Sequence, residues 1–171
     1  NLWISTESTP FFVECGGQVD DQGHMTINDQ TFKIIGLKKA GATFKPAILV
    51  KIARTTIDGK PANEIKIGDK VYSKVDKLLR EDTVKNHTAT HMMQAALVQV
   101  LGPQVKQAGS IVHPDYLRFD YTHHQAMTPE EMALVEKIVN DHIQADIKTD
   151  IRYRTLKEAK QEGVISFFGE K

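Results

Sequence analysis

Two histidines four residues apart, His87 and His91, are the side chains of this sequence best suited to bind a metal ion. They lie in the segment 86–91, Asn-His-Thr-Ala-Thr-His, which we expect to be helical. Residues four apart in a helix stand one above the other on the same face, so two imidazoles can converge on one zinc ion. The spacing alone leaves another interpretation open, in which both histidines are partly buried and simply hydrogen-bonded.

A tetrahedral zinc site needs four ligands, and the helix supplies two of them. Cysteine binds zinc as a thiolate, but histidines in loops or on helix surfaces are usually solvated. The further candidates are Cys15, His113, His123, His124 and His142. We therefore predict that the ligand set is incomplete within these residues.

Two polar residues near the histidines, Thr90 and Gln107, could recognise a small ligand. Thr90 directly precedes His91, and Gln107 lies where the strand after the helix is predicted to begin. A hydroxyl and an amide in a confined space can hydrogen-bond the hydroxyl of a serine and exclude a larger group. In the alternative interpretation, Thr90 bonds back to its own helix and Gln107 is an exposed strand residue.

The histidines belong to a predicted helix over residues 82–101, which contains no glycine or proline and ends at Gly102-Pro103. The segments after it predict a β-hairpin, a helix with a capping box, a strand and a short capped helix. The predicted bounds are 105–112 with 116–121 for the hairpin, 129–146, 147–153 and 155–163. This order indicates an α+β layer, a two-layer α/β core.

The first part of the chain is predicted to be rich in β-structure. Short β-forming runs alternate with turn residues such as Gly16-Gly17 and Asp58-Gly59, and the glycines at 16 and 17 indicate a tight turn with positive φ. The predicted strands cover residues 11–13, 25–27, 31–37, 47–57 and 70–75. We therefore predict a small antiparallel β-barrel over residues 1–78, followed by the α+β core over residues 79–171.

The charges of the chain balance, with 22 Lys and Arg residues against 22 Asp and Glu residues. Because no overall field attracts nucleic acid or an anionic membrane, any contact with a nucleic acid must use a local patch. The single cysteine excludes an internal disulfide, no apolar run is long enough to cross a bilayer, and no signal-peptide pattern opens the chain. We expect a protein of the cytoplasm or an organelle matrix. Because the sequence does not begin with methionine, we also expect a piece of a longer chain.

Basic residues give the β-rich part a local positive charge. One face of this part could follow a nucleic-acid backbone. In the alternative interpretation these residues are ordinary solvated surface side chains, which is the usual reason for such a set of basic residues. The residues are Lys38, Lys39, Lys45, Lys51, Arg54, Lys74, Lys77 and Arg80.

Several motifs together resemble the alanyl-tRNA synthetase family. The histidine segment 86–91 is followed by Gln-Ala-Gly-Ser at 107–110 and Leu-Arg-Phe-Asp-Tyr at 117–121. The glycine-rich segment 11–23 and the Phe-Gly-Glu-Lys sequence at 168–171 match the same family in the right order. Free-standing editing proteins and the editing domain of threonyl-tRNA synthetase share the His-x-x-x-His helix. The glycine-rich segment and the Gln-Ala-Gly-Ser stretch favour the alanine enzyme.

The resemblance implies the post-transfer editing region, a zinc-dependent hydrolase of the ester between serine or glycine and the terminal adenosine of tRNA(Ala). It implies that His87 and His91 bind zinc and that Thr90 and Gln107 shape the amino-acid pocket as catalytic residues. It also implies that a Cys-x-x-x-His motif beyond the Gly-Glu-Lys segment supplies the remaining ligands. The implied partners are the acceptor end of tRNA(Ala) and the rest of the synthetase chain, which joins alanine to tRNA with ATP.

The sequence departs from the family at two positions, where Cys15 replaces a usual serine and Asp20 a usual glycine. Neither position belongs to the predicted pocket. Two other interpretations stay open: a nucleic-acid-binding or interdomain module whose histidines are structural, and a free-standing editing protein.

Overall fold

A computed structural model describes residues 2–41 and 46–164 of the protein. In these residues an antiparallel sheet is followed by a long helix, a β-hairpin and two further helices. The α+β class predicted from the sequence is therefore confirmed. No helix within the described ranges is both long and apolar enough to span a bilayer.

The sheet has five strands. They are β1 (Leu2–Ser5), β2 (Gly23–Ile27), β3 (Gln30–Ala40), β4 (Ala47–Ile52) and β5 (Val71–Val75). Their order is β1-β4-β3-β2-β5, so among the described residues β1 and β5 are open edges. The predicted closed barrel is therefore not found, although a register shift between Ile34 and Gly36 bends β3.

One face of the sheet is buried because its strands alternate apolar and polar residues. In β2 the side chains of Met25 and Ile27 are buried, while the residues between and before them are half-buried. Phe32 and Val50 from the neighbouring strands complete the centre of this cluster. Each such side chain contributes about 1.5–3 kcal/mol by leaving water.

Residues 11–13 were predicted to form a strand, and this prediction is wrong. Phe12 N donates to the carboxylate of Asp21 at 2.5 Å, and Asp21 N donates to Phe12 O at 3.0 Å. These two bonds take the place of a strand ladder. Phe11 and Val13 are nevertheless buried in the sheet's cluster, so the apolar pattern there reflects a buried loop.

Two other strand predictions change. The strand predicted over residues 47–57 ends at Ile52, because the chain turns at Thr56, whose N donates to Lys60 O at 2.9 Å. Strand β1 was not predicted, and it pairs with β4 from Leu2 opposite Ile52 to Ser5 opposite Leu49. The strands predicted at residues 25–27, 31–37 and 70–75 are confirmed as β2, β3 and β5.

Helix α1 (Lys77–Leu101) has 25 residues and is the longest element described. The carboxylate of Asp76 accepts a hydrogen bond from Leu79 N at 3.3 Å and caps the first turn. Gly102 ends the helix, as predicted. The helix begins at Lys77 rather than Asp82, and this earlier start includes Arg80 in its first turns.

A hairpin and a second helix pack against α1. The hairpin is formed by β6 (Gln107–Val112) and β7 (Leu117–Tyr121), and the helix is α2 (Pro129–Gln144), all close to the predicted bounds. The predicted capping box of α2 is present, with Thr128 and Glu131 bonded reciprocally. The buried residues of this second cluster are Ala96, Leu97, Leu101, Val105, Phe119 and Val135.

The strand predicted over residues 147–153 is not formed. Ile147, Ile151 and Tyr153 alternate as in a strand, but they are 62%, 83% and 94% exposed. No strand of the described residues lies beside this segment to pair with its backbone. The short helix after it is confirmed as α3 (Leu156–Gln161), capped by Thr155 with Glu158.

Two hydrophobic clusters, one on the sheet and one around α1, correspond to the two parts of the chain. The boundary placed near Leu79 falls within the first turn of α1. The division into subdomains at residues 1–78 and 79–171 stays a prediction.

Candidate functional site

One face of α1 carries four polar side chains. His87, Thr90, His91 and Gln94 are separated by three or four residues, so they lie in line over about two turns of the helix. Thr90 and Gln94 are buried, His87 is half-buried and His91 is exposed. All four line one cavity.

The rings of His87 and His91 lie almost parallel. Their centroids are 5.2 Å apart and their planes differ by 20°. The two imidazoles therefore stand side by side on the cavity wall, as expected for neighbours on one helical face. Their role as metal ligands stays a prediction.

Gln18 orients the ring of His87 from the β-rich part of the chain. Its Oε1 lies 2.6 Å from His87 Nδ1, and Gln18 is buried. Because an amide oxygen can only accept, Nδ1 is the donor, and in the neutral ring Nε2 carries the electron pair. Hydrogen bonds of this kind fix ring orientation and tautomer in histidine–metal sites. The two imidazoles therefore fit zinc as a pair of nitrogen donors.

The loop that carries Gln18 is attached to the end of β6. Val112 N donates to Gly17 O at 2.7 Å, and Val19 N donates to Val112 O at 3.1 Å. Gly17 has a φ of +83°, and a Cβ at this position would meet the carbonyl oxygen of Ser110 at 2.7 Å. The tight turn predicted at the two glycines is confirmed, and it allows the loop to approach β6 closely.

A buried ion pair attaches the same loop to α1. Arg80 Nε donates to Asp21 Oδ1 at 2.7 Å, and a terminal nitrogen of Arg80 donates to Asp21 Oδ2. The guanidinium also donates to Pro10 O at 3.0 Å. The hydrogen bond to Asp21 raises the pKa of Arg80, and the side chain of Asp21 is only 4% exposed. Gln18 therefore lies between two anchored points of its loop, the backbone contacts with Val112 and the ion pair of Asp21.

Thr90 and Gln107, the predicted pocket residues, lie at the same cavity. Thr90 Oγ1 donates to Asn86 O at 2.8 Å, as the alternative interpretation expected. Its oxygen can still accept a hydrogen bond from a ligand. Gln107 Nε2 donates to Ser110 Oγ at 3.1 Å, and Gln107 is half-buried. Both residues have local partners, and their role towards a ligand stays a prediction.

The cavity measures about 520 Å³ and lies between α1, β6 and the glycine-rich loop. Its wall is formed by the polar side chains already described together with Phe12, Cys15, Gly16, Ser110 and Val112. A larger hollow of about 680 Å³ lies beside β1 and contains none of the predicted site residues. The cavity of about 520 Å³ is therefore the one whose wall carries the predicted site residues.

The other predicted donor residues do not join the histidine pair. His113 stacks on Tyr116 at 5.1 Å, and His142 Nδ1 lies 2.8 Å from Ile138 O. His123 and His124 contact one another after β7. Within the described ranges, no three His, Cys, Asp or Glu side chains are arranged to hold a metal.

Cys15 was expected to lie outside the pocket, but it is exposed and lines the cavity with the two histidines, because the glycine-rich loop approaches α1. The three side chains do not form a metal-binding group. The Phe-Gly-Glu-Lys motif at 168–171 lies outside the described residues.

Several residues of the predicted basic patch already have partners. Lys38 Nζ lies 4.3 Å and Lys51 Nζ 5.7 Å from the ring centroid of Trp3. Lys77 pairs with Glu81, and Arg80 is committed to Asp21. Lys45 lies outside the described residues. Four of the eight residues therefore contact other side chains of the described chain.

Two residues of the site were missed by the sequence reasoning, Gln18 and Gln94. The spacing of Gln94, three residues after His91 and four after Thr90, was sufficient to place it on the same helical face. Gln18 carries no such local signal, because 69 residues separate it from His87.

The chain is similar to alanine–tRNA ligases over nearly its whole length. It is 39% identical over 168 residues to the enzyme of Anaeromyxobacter dehalogenans. It is 41% identical over 169 residues to that of Geobacillus thermodenitrificans and over 168 residues to that of Thermus thermophilus. Each alignment covers 98% of this chain and 18% of the relative.

No protein-family model matches the chain. The relatives nevertheless confirm the resemblance that the sequence motifs indicated. This chain therefore corresponds, over nearly all of its length, to a segment of the alanyl-tRNA synthetase (alanine–tRNA ligase) family.

Proposed function

We propose that the chain is the editing part of an alanine–tRNA ligase and hydrolyses tRNA(Ala) wrongly charged with serine or glycine. The observation that carries this proposal is the pair of stacked imidazoles, His87 and His91, on the wall of a cavity shared with Thr90 and Gln107. The cavity of about 520 Å³ is large enough for an aminoacyl group and the sugar that carries it.

His87 and His91 hold a zinc ion in this proposal. When bound, zinc polarises a carbonyl oxygen or lowers the pKa of a water, which favours hydrolysis of an ester. The fixed position of His87 depends on Gln18, whose Oε1 accepts from His87 Nδ1. The two remaining ligands come from a part of the ligase outside this chain, since the described residues offer no third donor beside the pair.

Thr90 and Gln107 recognise the amino acid. Because the Thr90 hydroxyl donates its hydrogen to Asn86 O, it can only accept from the ligand. Gln107 donates to Ser110 Oγ and retains its Oε1 as an acceptor. Two acceptors at one wall suit an ammonium group or a hydroxyl hydrogen, both of which a seryl ester contains.

The need for a second site follows from the chemistry of alanine. A pocket built to admit alanine cannot exclude the smaller glycine, and it rejects serine only weakly because serine adds a single hydroxyl. Hydrolysis in a separate pocket removes these errors. Because the net charge of the chain is zero, the tRNA contacts are proposed to come from local groups and from the rest of the ligase.

The test uses His87→Ala and His91→Ala in the full-length ligase. Both variants are expected to lose bound zinc and to hydrolyse Ser-tRNA(Ala) and Gly-tRNA(Ala) at the uncatalysed rate, with alanylation retained. His142→Ala is the matched control, because His142 lies on α2 and bonds to its own helix. The measurements are metal content by mass spectrometry and the rate of release of labelled amino acid.

Unchanged hydrolysis in both variants would show that the histidines are structural. If tRNA binding then fell on substitution of the basic residues of the sheet, the chain would instead be a tRNA-binding module.

A further inference from the structure

Gln94 is a buried polar residue of the cavity wall that the proposed function has not used. It is 9% exposed and lines the cavity beside Thr90 and His91. None of the residues that the structure describes hydrogen-bonds its side-chain amide. Its amide atoms are not among the solvent-inaccessible, unpaired side-chain atoms of the described residues, so the amide remains open to the cavity that the residue lines.

The neighbouring groups define what Gln94 adds. The hydroxyl of Thr90 has given its hydrogen to Asn86 O, and one amide hydrogen of Gln107 is committed to Ser110 Oγ. Gln94 brings an uncommitted amide, with two N–H donors and a carbonyl acceptor. It therefore adds to the cavity wall a donor for a neutral ligand oxygen that no described side chain already uses.

A hydroxyl group has the donor and the acceptor that these two side chains can pair with. It can donate its hydrogen to the oxygen of Thr90 and accept from the amide of Gln94. Thr90 and Gln94 are four residues apart on α1, so they stand on one face of the helix one turn from each other. Their spacing on one face lets a small alcohol in the cavity pair with both side chains.

We propose that Gln94 determines specificity for serine by donating a hydrogen bond to the side-chain hydroxyl of the seryl group. This inference rests on the proposed editing function and adds a residue to it. A glycyl group has no hydroxyl and does not use Gln94. An alanyl group places a methyl against the amide, which leaves Gln94 and Thr90 without partners and disfavours the correct product as a substrate.

The test compares Gln94→Leu with Gln99→Leu in the full-length ligase. Gln99 lies on the same helix and is exposed, so it controls for the loss of an amide from α1. The probes are two adenosine analogues whose ribose carries serine or glycine through an amide in place of the ester. Their Kd values are measured by calorimetry, and the rates of Ser-tRNA(Ala) and Gly-tRNA(Ala) hydrolysis are measured beside them.

Gln94→Leu is expected to raise the Kd of the serine analogue about tenfold or more. The Kd of the glycine analogue should change by less than about twofold. The kcat/KM ratio for Ser-tRNA(Ala) over Gly-tRNA(Ala) falls by the same factor. The melting temperature stays unchanged or rises, because the leucine needs no hydrogen-bond partner. A structural residue would give a lower melting temperature and equal losses for both probes.

Gln94→Met gives a second measure that keeps the length of the side chain. It carries no N–H donor, so serine selectivity is lost as in the leucine variant. An unchanged serine-to-glycine ratio in both variants overturns the role of Gln94 while the editing function stands. If the parent enzyme binds neither analogue and hydrolyses neither ester, the proposed function itself fails.

Discussion

Gln18 Oε1 and His87 Nδ1 lie 2.6 Å apart although 69 residues separate them along the chain. This hydrogen bond joins the glycine-rich loop of the β-rich part to the long helix of the second part. It means that the orientation of one proposed metal ligand depends on the packing of the loop. The geometry of the site is therefore a property of both parts of the chain together.

Gln18→Leu tests this dependence. Without the acceptor oxygen, the ring of His87 loses its fixed tautomer and orientation, and zinc affinity of the full-length ligase is expected to fall about 10–100-fold. The measurement is a competition titration against a chromophoric chelator.

Two further variants make the Gln18 test specific. Gln18→Glu keeps an acceptor oxygen and should retain tight binding. Gln22→Leu removes an exposed amide from the same segment and should have no effect. Equal affinity of Gln18→Leu and the parent enzyme would show that the hydrogen bond does not position the ring.

Local sequence signals predicted the helices of this chain well. The capping boxes at Thr128 and Thr155 each place a glutamate three residues later, and both helices begin as expected. These signals succeed because the two hydrogen bonds of a capping box form within four residues. The same holds for the turn at Gly16-Gly17, where the need for positive φ is a property of the residues themselves.

The sequence failed where pairing depends on distant residues. Residues 11–13 read as a strand because they are apolar, but their backbone is held by the carboxylate of Asp21. The alternation at 147–153 is typical of a strand, yet the described residues contain no strand beside it. Closing the observed sheet into a barrel would require β1 to pair with β5, and no local pattern reports whether two edge strands meet.

The site was predicted in part for the same reason. His87 and His91 were found because helical spacing places them on one face, and Thr90 because it directly precedes His91. Gln107 was noticed for its amide at the start of the strand after the helix, and only the family resemblance gave it a pocket role. The partner of His87 could not be predicted, because it requires knowing that the turn at Gly17 docks on Val112.

Gly17→Ala is expected to detach the glycine-rich loop from β6. Its positive φ alone costs about 1 kcal/mol in a non-glycine residue. The clash with Ser110 adds to this, so the free energy of local opening of the loop should fall by about 2–4 kcal/mol. Hydrogen–deuterium exchange of peptides covering residues 15–19 and 107–112 in the full-length ligase measures the change.

Gly59→Ala is the matched control for Gly17→Ala. Gly59 has a nearly identical φ of +82°, but no atom lies within 4 Å of an added Cβ. Gly59→Ala should therefore lower the free energy of local opening of its own loop only by the backbone cost of about 1 kcal/mol. If the two variants opened their loops to the same extent, close contact with Ser110 would not be what requires glycine at position 17.

The Asp21–Arg80 pair should be the stronger of the two attachments of the glycine-rich loop. Arg80→Met keeps the apolar stem of the side chain but leaves the carboxylate of Asp21, 4% exposed, without its cation. Removing one partner of a buried pair costs about 3–5 kcal/mol, and partial exposure of Arg80 reduces this to about 2–3 kcal/mol. Hydrogen–deuterium exchange of the peptide covering residues 10–21 should therefore become faster in Arg80→Met. Zinc affinity should fall as well, because Gln18 lies in that segment.

Lys77→Met provides the comparison for the Arg80 variant, since Lys77 and Glu81 form an exposed pair on the same helix at 3.5 Å. Its loss should change local stability by less than about 0.5 kcal/mol. Adding Asp21→Asn to Arg80→Met removes the unpaired charge and should recover part of the loss, because an amide can still accept from Phe12 N. No recovery in the double variant would mean that the guanidinium acts through Pro10 O rather than through the carboxylate, and the loop would then be held from its other end.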